Sequence, residues 1–271
     1  MRKIHLVIIF IGLGLLVYLA ALLIFFPAQL VVDQLNKNSN IKIQQVTGSV
    51  WSGYATSVLT PAGHFNYLSW RTSAWSLLRG KIKTNLELGE KSSQTLHVKT
   101  QLQYSLWNGA IQFQDLHLQT NGDWLSLALQ IPLALAGNIE AHVENIYWQP
   151  HARKGESQLD CQGQIFWQHA GLSHPEPQMF GHYQIDFSSA QPNNCTFALN
   201  SLEDSAVPAA GKLQLNADGQ YNAQLSIQTG ANTPVSLQRW LNWLGPANAQ
   251  GKRQWHRQGR LADLQYLING G

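Results

Sequence analysis

The sequence predicts a mainly β protein: an N-terminal transmembrane helix, then a curved antiparallel β-sheet domain with one or two short helices. Three observations predict it. An uncharged apolar run fills residues 6–26, and short segments of alternating apolar and polar residues fill most of the chain beyond it. Gly, Asn, Asp and Pro punctuate those segments, and helical periodicity is scarce.

The apolar run comes first. Its 21 residues make a helix about 30 Å long, which matches the hydrocarbon core of a bilayer. It ends in Ile24-Phe25-Phe26-Pro27 without an A-x-A site, unlike a cleaved signal peptide. Arg2 and Lys3 precede it and the next basic residue is Lys37, so the positive-inside rule places the N-terminus in the cytoplasm and the remainder in the periplasm. The expected organisation is a cytoplasmic stub (1–5), a transmembrane helix (6–28), a linker (29–40) and a periplasmic β-rich domain (41–271), all held at the bacterial inner membrane.

The strands come next. Ile41 to Val46, Leu86 to Leu88 and Leu96 to Tyr104 alternate with period two; Ile111, Phe113, Leu116 and Leu118 continue with a phase change at Asp115 that predicts a bulge. The pattern resumes at Ile139, Ala141 and Val143, at Leu159, Cys161, Ile165 and Trp167, and at Tyr183, Ile185 and Phe187. Leu213 to Leu215 and Tyr221 to Ile227 form a hairpin across Asp218-Gly219. Roughly ten to twelve strands are expected. A helix is predicted from Thr233-Pro234 through Leu237, Trp240, Leu241 and Leu244 to Gly245-Pro246, and a shorter one at Ser73 to Leu78.

With Arg2 and Lys3 set aside from the 18 Lys and Arg, the exported domain is a single cation ahead of its 15 Asp and Glu. Such balance argues against nucleic acid as a partner. The two cysteines, Cys161 and Cys195, lie in an oxidising compartment on this reading, and a disulfide is favoured over two free thiols. If they sit on the first and third of three consecutive strands, bridging needs a crossing near the strand ends, because α-carbons beyond about 7 Å cannot be joined.

Catalytic chemistry is hard to find. None of the ten histidines lies in an H-E-x-x-H or C-x-x-C context, and His97 and His117 sit among alternating strand residues. Ser49 and Ser52 lack the G-x-S-x-G spacing, and no phosphate-cradling or dinucleotide fingerprint occurs. No cofactor, metal or catalytic residue is expected, and no enzyme. Lys252, Arg253, Arg257 and Arg260, with Trp255 among them, offer contact to lipid phosphate or an acidic partner, but at alternating strand positions they read first as a solvated face. Of the ten Trp, Trp51, Trp70, Trp75, Trp107, Trp124 and Trp148 stand near chain turns, where sheet rims and interfaces compete with core packing.

At Val46-Thr47-Gly48-Ser49-Val50-Trp51-Ser52-Gly53-Tyr54-Ala55 the chain resembles the type II secretion system protein N family. The resemblance rests on Gly48, Val50, Trp51, Gly53 and Ala55, and continues at Leu68-Ser69-Trp70, Leu77 to Lys81, Leu133 to Ile139, Leu244-Gly245, Gly251-Lys252 and Gly259-Arg260-Leu261. Read physically, Gly48 and Gly53 bend the chain on either side of a two-residue strand while Trp51 caps the apolar face, a structural role that competes with partner contact. The resemblance implies a non-enzymatic accessory component of the machinery that exports folded proteins from the periplasm, with other secretion components as partners. A second reading comes from the AsmA-like envelope proteins, which the chain also resembles: a β-groove that binds or moves lipid.

Overall fold

A computed structural model describes residues 13, 14, 18, 25–60, 63–89, 96–128, 134–150, 157–174, 177–191, 193–202, 205–228, 246–248 and 250–261. Almost all of the apolar 6–26 run and the whole of the predicted 233–245 helix lie outside these residues. Among the described residues no helix is long and apolar enough to cross a membrane.

The described chain is one antiparallel sheet of fourteen strands. They are β1 (Lys42–Gly48), β2 (Ser52–Thr60), β3 (Gly63–Phe65), β4 (Leu68–Thr72), β5 (Lys81–Leu88), β6 (Leu96–Ser105), β7 (Ile111–Asn121), β8 (Ala134–Gln149), β9 (Gln158–His174), β10 (Gln178–Gln191), β11 (Asn194–Ser201), β12 (Ala209–Asn216), β13 (Gln220–Gln228) and β14 (Lys252–Arg260). Three short helices accompany them: α1 (Ala28–Asn38), α2 (Ala74–Leu77) and α3 (Gly122–Ala128). The strand order is sequential from β1 to β14, except that the short β3 pairs β2 off the main path. The sheet is open, with β1 and β14 at the ends of the path. The excess over the expected ten to twelve strands includes β3, only three residues long, and β14, whose basic residues mask its alternation.

Period-two alternation carries across the whole sheet. Following the register from strand to strand gives one uninterrupted row: Val46, Ala55, Leu68, Leu88, Val98, Leu118, Ala141, Ile165, Ile185, Leu199, Gly211, Leu225 and Trp255. The adjoining row on the opposite face reads Thr47, Tyr54, Ser69, Glu87, Lys99, His117, His142, Gln164, Asp186, Ala198, Lys212, Gln224 and His256. Directly opposed residues in an antiparallel pair share a face, so one side of the sheet is apolar and the other polar.

Bulges keep the faces in phase along the longer strands. At Asp115 (φ 49°) the β6–β7 register shifts, so Phe113 and Leu116 share the apolar face. Glu144 does the same in β8, and His169 (φ 51°) in β9. The phase change read at Asp115 is therefore a real bulge.

Cys161 and Cys195 are joined by a disulfide, their α-carbons 5.8 Å apart. They lie on β9 and β11 with β10 between. In a flat sheet strands two places apart are separated by about 10 Å, so the sheet curls around its apolar face here. The curl is permitted where β10 leaves its ladder: its register with β11 shifts between Ser188 and Gln191, and the Ser189 hydroxyl accepts the Cys161 N–H at 2.9 Å. Val143, Phe187 and both cysteines form the buried centre of the hollow, with Leu116, Ile146, Leu159, Ile165 and Phe197 around them. A second cluster gathers Val58, Phe65 and Leu96, flanked by Trp124 of α3.

Both ends of the path are blunted. Residues 29–40, expected as a linker, include most of α1: Ala28 and Val32, one turn apart, are buried, while Leu30, Val31 and Leu35 are exposed with the polar side chains. Asn36 of α1 turns its amide to β1, donating from Nδ2 to the Ile43 carbonyl (2.9 Å) and accepting the Ile43 N–H at Oδ1 (2.8 Å). A further strand would use those same backbone groups. On β14 the face expected to be solvated is in part the apolar one. Arg253 stands opposite Ile227, in line with Trp255 and Arg257, and is only 8% exposed. Inward charge on an end strand discourages edge-to-edge pairing.

Tyr183 on β10 is buried, and its hydroxyl donates to the Val207 carbonyl at 2.8 Å. Burial pushes its pKa from 10.0 up to about 12. The folded protein thus holds the neutral phenol where the unfolded chain has begun to ionise, so its contribution to stability is complete below pH 10 and is lost as the pH rises through about 12. Alkaline unfolding followed by circular dichroism should show this loss, and Tyr183→Phe should flatten the pH 10–12 limb while lowering stability at pH 7.

The bridge closes a loop with a sequence separation of 34, for which loop-closure entropy gives about 4 kcal/mol. The Cys161→Ala/Cys195→Ala double variant should still fold and should show a lower thermal midpoint, measured by calorimetry under non-reducing conditions.

Candidate functional site

The segment carrying the family-like motif is the β1–β2 turn. Gly48 pairs with Gly53, and Ser49 and Ser52 exchange backbone hydrogen bonds (2.9 and 3.3 Å), leaving Val50 and Trp51 as a two-residue loop. The motif is thus a hairpin turn, not the expected two-residue strand between bends. Gly48 is required by conformation: its φ is +107°, and a Cβ there would stand 2.5 Å from the Ser52 carbonyl oxygen. Gly53 is required by contact, because a Cβ would meet Trp70 Cζ2 at 2.4 Å and the Thr47 carbonyl oxygen at 2.5 Å. Ala55 is fully buried in the apolar row.

The Trp70 ring locks this turn. It lies on Gly53 and donates its indole N–H to the Ser49 carbonyl at 3.0 Å. Trp51 is half-buried, and its carbonyl accepts the Thr72 N–H at 2.6 Å, which ties β4 to the turn. Opposite them, the Val50 N–H donates to the Phe26 carbonyl at 3.1 Å, and Pro27 bridges Ser49. The motif therefore joins three things: the first hairpin, β4, and the point where the chain leaves the apolar run. Arg2 and Lys3 lie outside the described residues.

Next to the turn, on the polar face, lies a cavity of about 650 Å³. Gly53 and Trp70 line it with Arg71, Asn85, Glu87, Lys99, Gln101 and Asp115. Its two cations and two carboxylates balance. Hydrogen bonding across this face is extensive: Gln103 to Gln112 (3.4 Å), Gln112 to Asn145 (2.8 Å), Asn145 to Asp160 (3.0 Å) and Gln119 to Glu140 (3.0 Å) form a ladder of amides and carboxylates. The histidines join it. His97 meets Glu87 at 3.3 Å, His256 meets Asn222 at 2.9 Å, and His117 packs edge-on against His142 with ring centres 3.8 Å apart. Such a surface suits hydrogen bonding to another polar surface, and His64 adds a contact from its Nε2 to the Ser57 hydroxyl at 2.9 Å. Among the described residues no group of three His, Cys, Asp or Glu could hold a metal ion.

The tryptophans divide in a way that core packing does not anticipate. Trp75 and Trp107 are 80% and 83% exposed, whereas Trp70 and Trp167 use their indole N–H groups inside the sheet. Position near a turn marked these rings, but only the fold separates a locking Trp from a protruding one. Gly53→Ala should destabilise the domain by about 1–3 kcal/mol and release Trp70 from Ser49, whereas Gly219→Ala at the β12–β13 turn meets no neighbouring atom, only an unfavourable φ. Thermal unfolding and tryptophan fluorescence of the two variants check this difference.

The family model for type II secretion system (T2SS), protein N, matches residues 39–256, which takes in the sheet from β1 into β14. The chain is 26% identical over 257 residues to the type II secretion system protein N of Aeromonas hydrophila, an alignment covering 92% of this chain and 97% of that one. It is 25% identical over 256 residues to the protein of the same name from Vibrio cholerae, covering 93% and 98%. No solved structure matches. With the motif, the sheet that it opens and the family match in register over most of its length, the chain belongs to the type II secretion system protein N family.

Proposed function

We propose that this chain is a non-enzymatic accessory component of the type II secretion system, held in the inner membrane by its apolar 6–26 run and presenting its sheet to the periplasm. The observation that carries this reading is the extent of the family match: it spans nearly the whole sheet and not one pocket. The match therefore covers the scaffold that carries both faces. A broad polar face built from Gln, Asn, His and balanced charge suits contact with other secretion components. The anchor in this reading rests on the length and neutrality of the apolar run, and on Arg2 and Lys3 before it.

One observation favours the second reading, a lipid-binding groove. The apolar row crosses the whole open sheet, and much of it remains only half-buried among the described residues. A curved apolar face of this kind could hold an acyl chain.

Deletion separates the two. On the secretion reading, cells without this chain should retain folded enzymes in the periplasm, wholly or in part, while lipid asymmetry of the envelope stays normal. Fractionation with enzyme assays and an outer-membrane lipid assay read both; normal secretion with disturbed lipid asymmetry would reverse the assignment.

A further inference from the structure

Because each strand on the path β1-β2-β4-β5 through β14 pairs with the next, the connections along that path alternate between two rims of the sheet. One rim carries the β1–β2 turn, α2 and the β6–β7 turn, together with Phe26 and Pro27, which bond to Val50 and Ser49. The apolar run therefore joins the domain at this rim.

The same rim is where large exposed apolar side chains protrude. Trp75 and Leu78 follow β4, 80% and 78% exposed, and Leu106 and Trp107 form the β6–β7 turn. The two groups make one surface: the Leu106 N–H donates to the Gly80 carbonyl at 2.9 Å, and the Trp107 indole stands directly over Gly80. Gly80, at φ +67°, has room for no side chain beneath that ring. A protein that kept these residues for its core would not leave two tryptophans in water.

Charge supplies the second observation. Arg79 and Lys81 are exposed between the aromatic groups, and residues 68–83 and 102–113, which build this stretch of the rim, contain no Asp or Glu at all. Exposed Trp with adjacent Lys and Arg is the composition of a surface that sits at the headgroup level of an anionic bilayer.

We propose that this rim docks on the anionic phospholipid surface of the membrane that the apolar run enters, with Trp75, Leu78, Leu106 and Trp107 in the headgroup layer and Arg79 and Lys81 on lipid phosphate. The sheet then stands on the bilayer by its strand ends, with its polar face turned sideways to partners. This inference rests on the anchor reading above and adds the orientation of the domain.

The test uses the full chain reconstituted in vesicles of phosphatidylethanolamine and phosphatidylglycerol. Both native cysteines are bridged, so a single introduced thiol can be labelled with an environment-sensitive fluorophore under non-reducing conditions. Trp75→Cys places the label on the rim, and Leu202→Cys, after β11, places it on the opposite one. The label at 75 should shift to the blue and be quenched by lipids carrying a shallow nitroxide, whereas the label at 202 should respond only to aqueous iodide. Adding Arg79→Glu and Lys81→Glu should reduce the lipid quenching at 75 about fivefold or more, and vesicles of phosphatidylcholine alone should weaken it similarly.

A label at 75 that iodide reaches and lipid does not would overturn the proposal. So would a label shielded from both quenchers, which would place a protein, such as a second copy, on the rim. Flotation after alkaline carbonate separates the two levels of the argument. A chain that floats with the vesicles but shows no lipid quenching at 75 keeps its anchor and loses its docking rim, and a chain that fails to float loses both.

Discussion

The constraint on which the rest of this structure depends is that an open sheet built only from neighbouring hairpins cannot complete itself. Every interior strand finds two partners, but among the described residues β1 and β14 each lack a second strand, and the apolar face is covered in part by α3 through Trp124. Much of what is particular to the molecule answers that deficiency. Asn36 fills the hydrogen-bonding groups of Ile43 at one end, and Arg253 and Arg257 put charge on the apolar face at the other. Between them, the disulfide and the break in β10 curl the sheet so that Phe187, Val143 and their neighbours pack on one another across several strands.

The two faces divide the work. Apolar burial stabilises the curl, while the amide and carboxylate ladder satisfies the opposite face without requiring a covering layer. The first turn is where these demands meet. Gly53 gives space to Trp70, Trp70 holds Ser49, and Val50 holds Phe26, so a change at one glycine reaches both the first hairpin and the point of attachment.

The features legible in the sequence were those set by local periodicity. Alternation at Leu96 to Tyr104 placed β6, the phase change at Asp115 placed a bulge, and Asp218-Gly219 placed the β12–β13 turn. Long-range consequences were not legible. Nothing local distinguishes Trp70, which lies on a glycine seventeen positions earlier and is half-buried, from Trp107, which covers Gly80 and stays 83% exposed. Asn36 and its neighbours look like a polar connector until β1 supplies a surface for Ala28 and Val32. Arg253 reads as solvated because charge dominates its segment, yet the register opposite Ile227 turns it inward. The crossing needed by the cysteines was foreseeable only as a condition, and the curl that meets it is a property of three strands together.

The sequential topology also keeps pairing local. Apart from β4, which pairs β2 across the short β3, each ladder forms between a strand and the one before it in sequence, so strands can be added one by one to a growing edge, with short connections to close except for residues 229–251 before β14. The disulfide is the exception to this locality. Its cysteines stand on strands two places apart, and the sulfurs meet because β10 leaves its ladder between them and the ribbon bends there. The bridge therefore fixes by a covalent bond a bend that neighbour-to-neighbour pairing alone leaves adjustable.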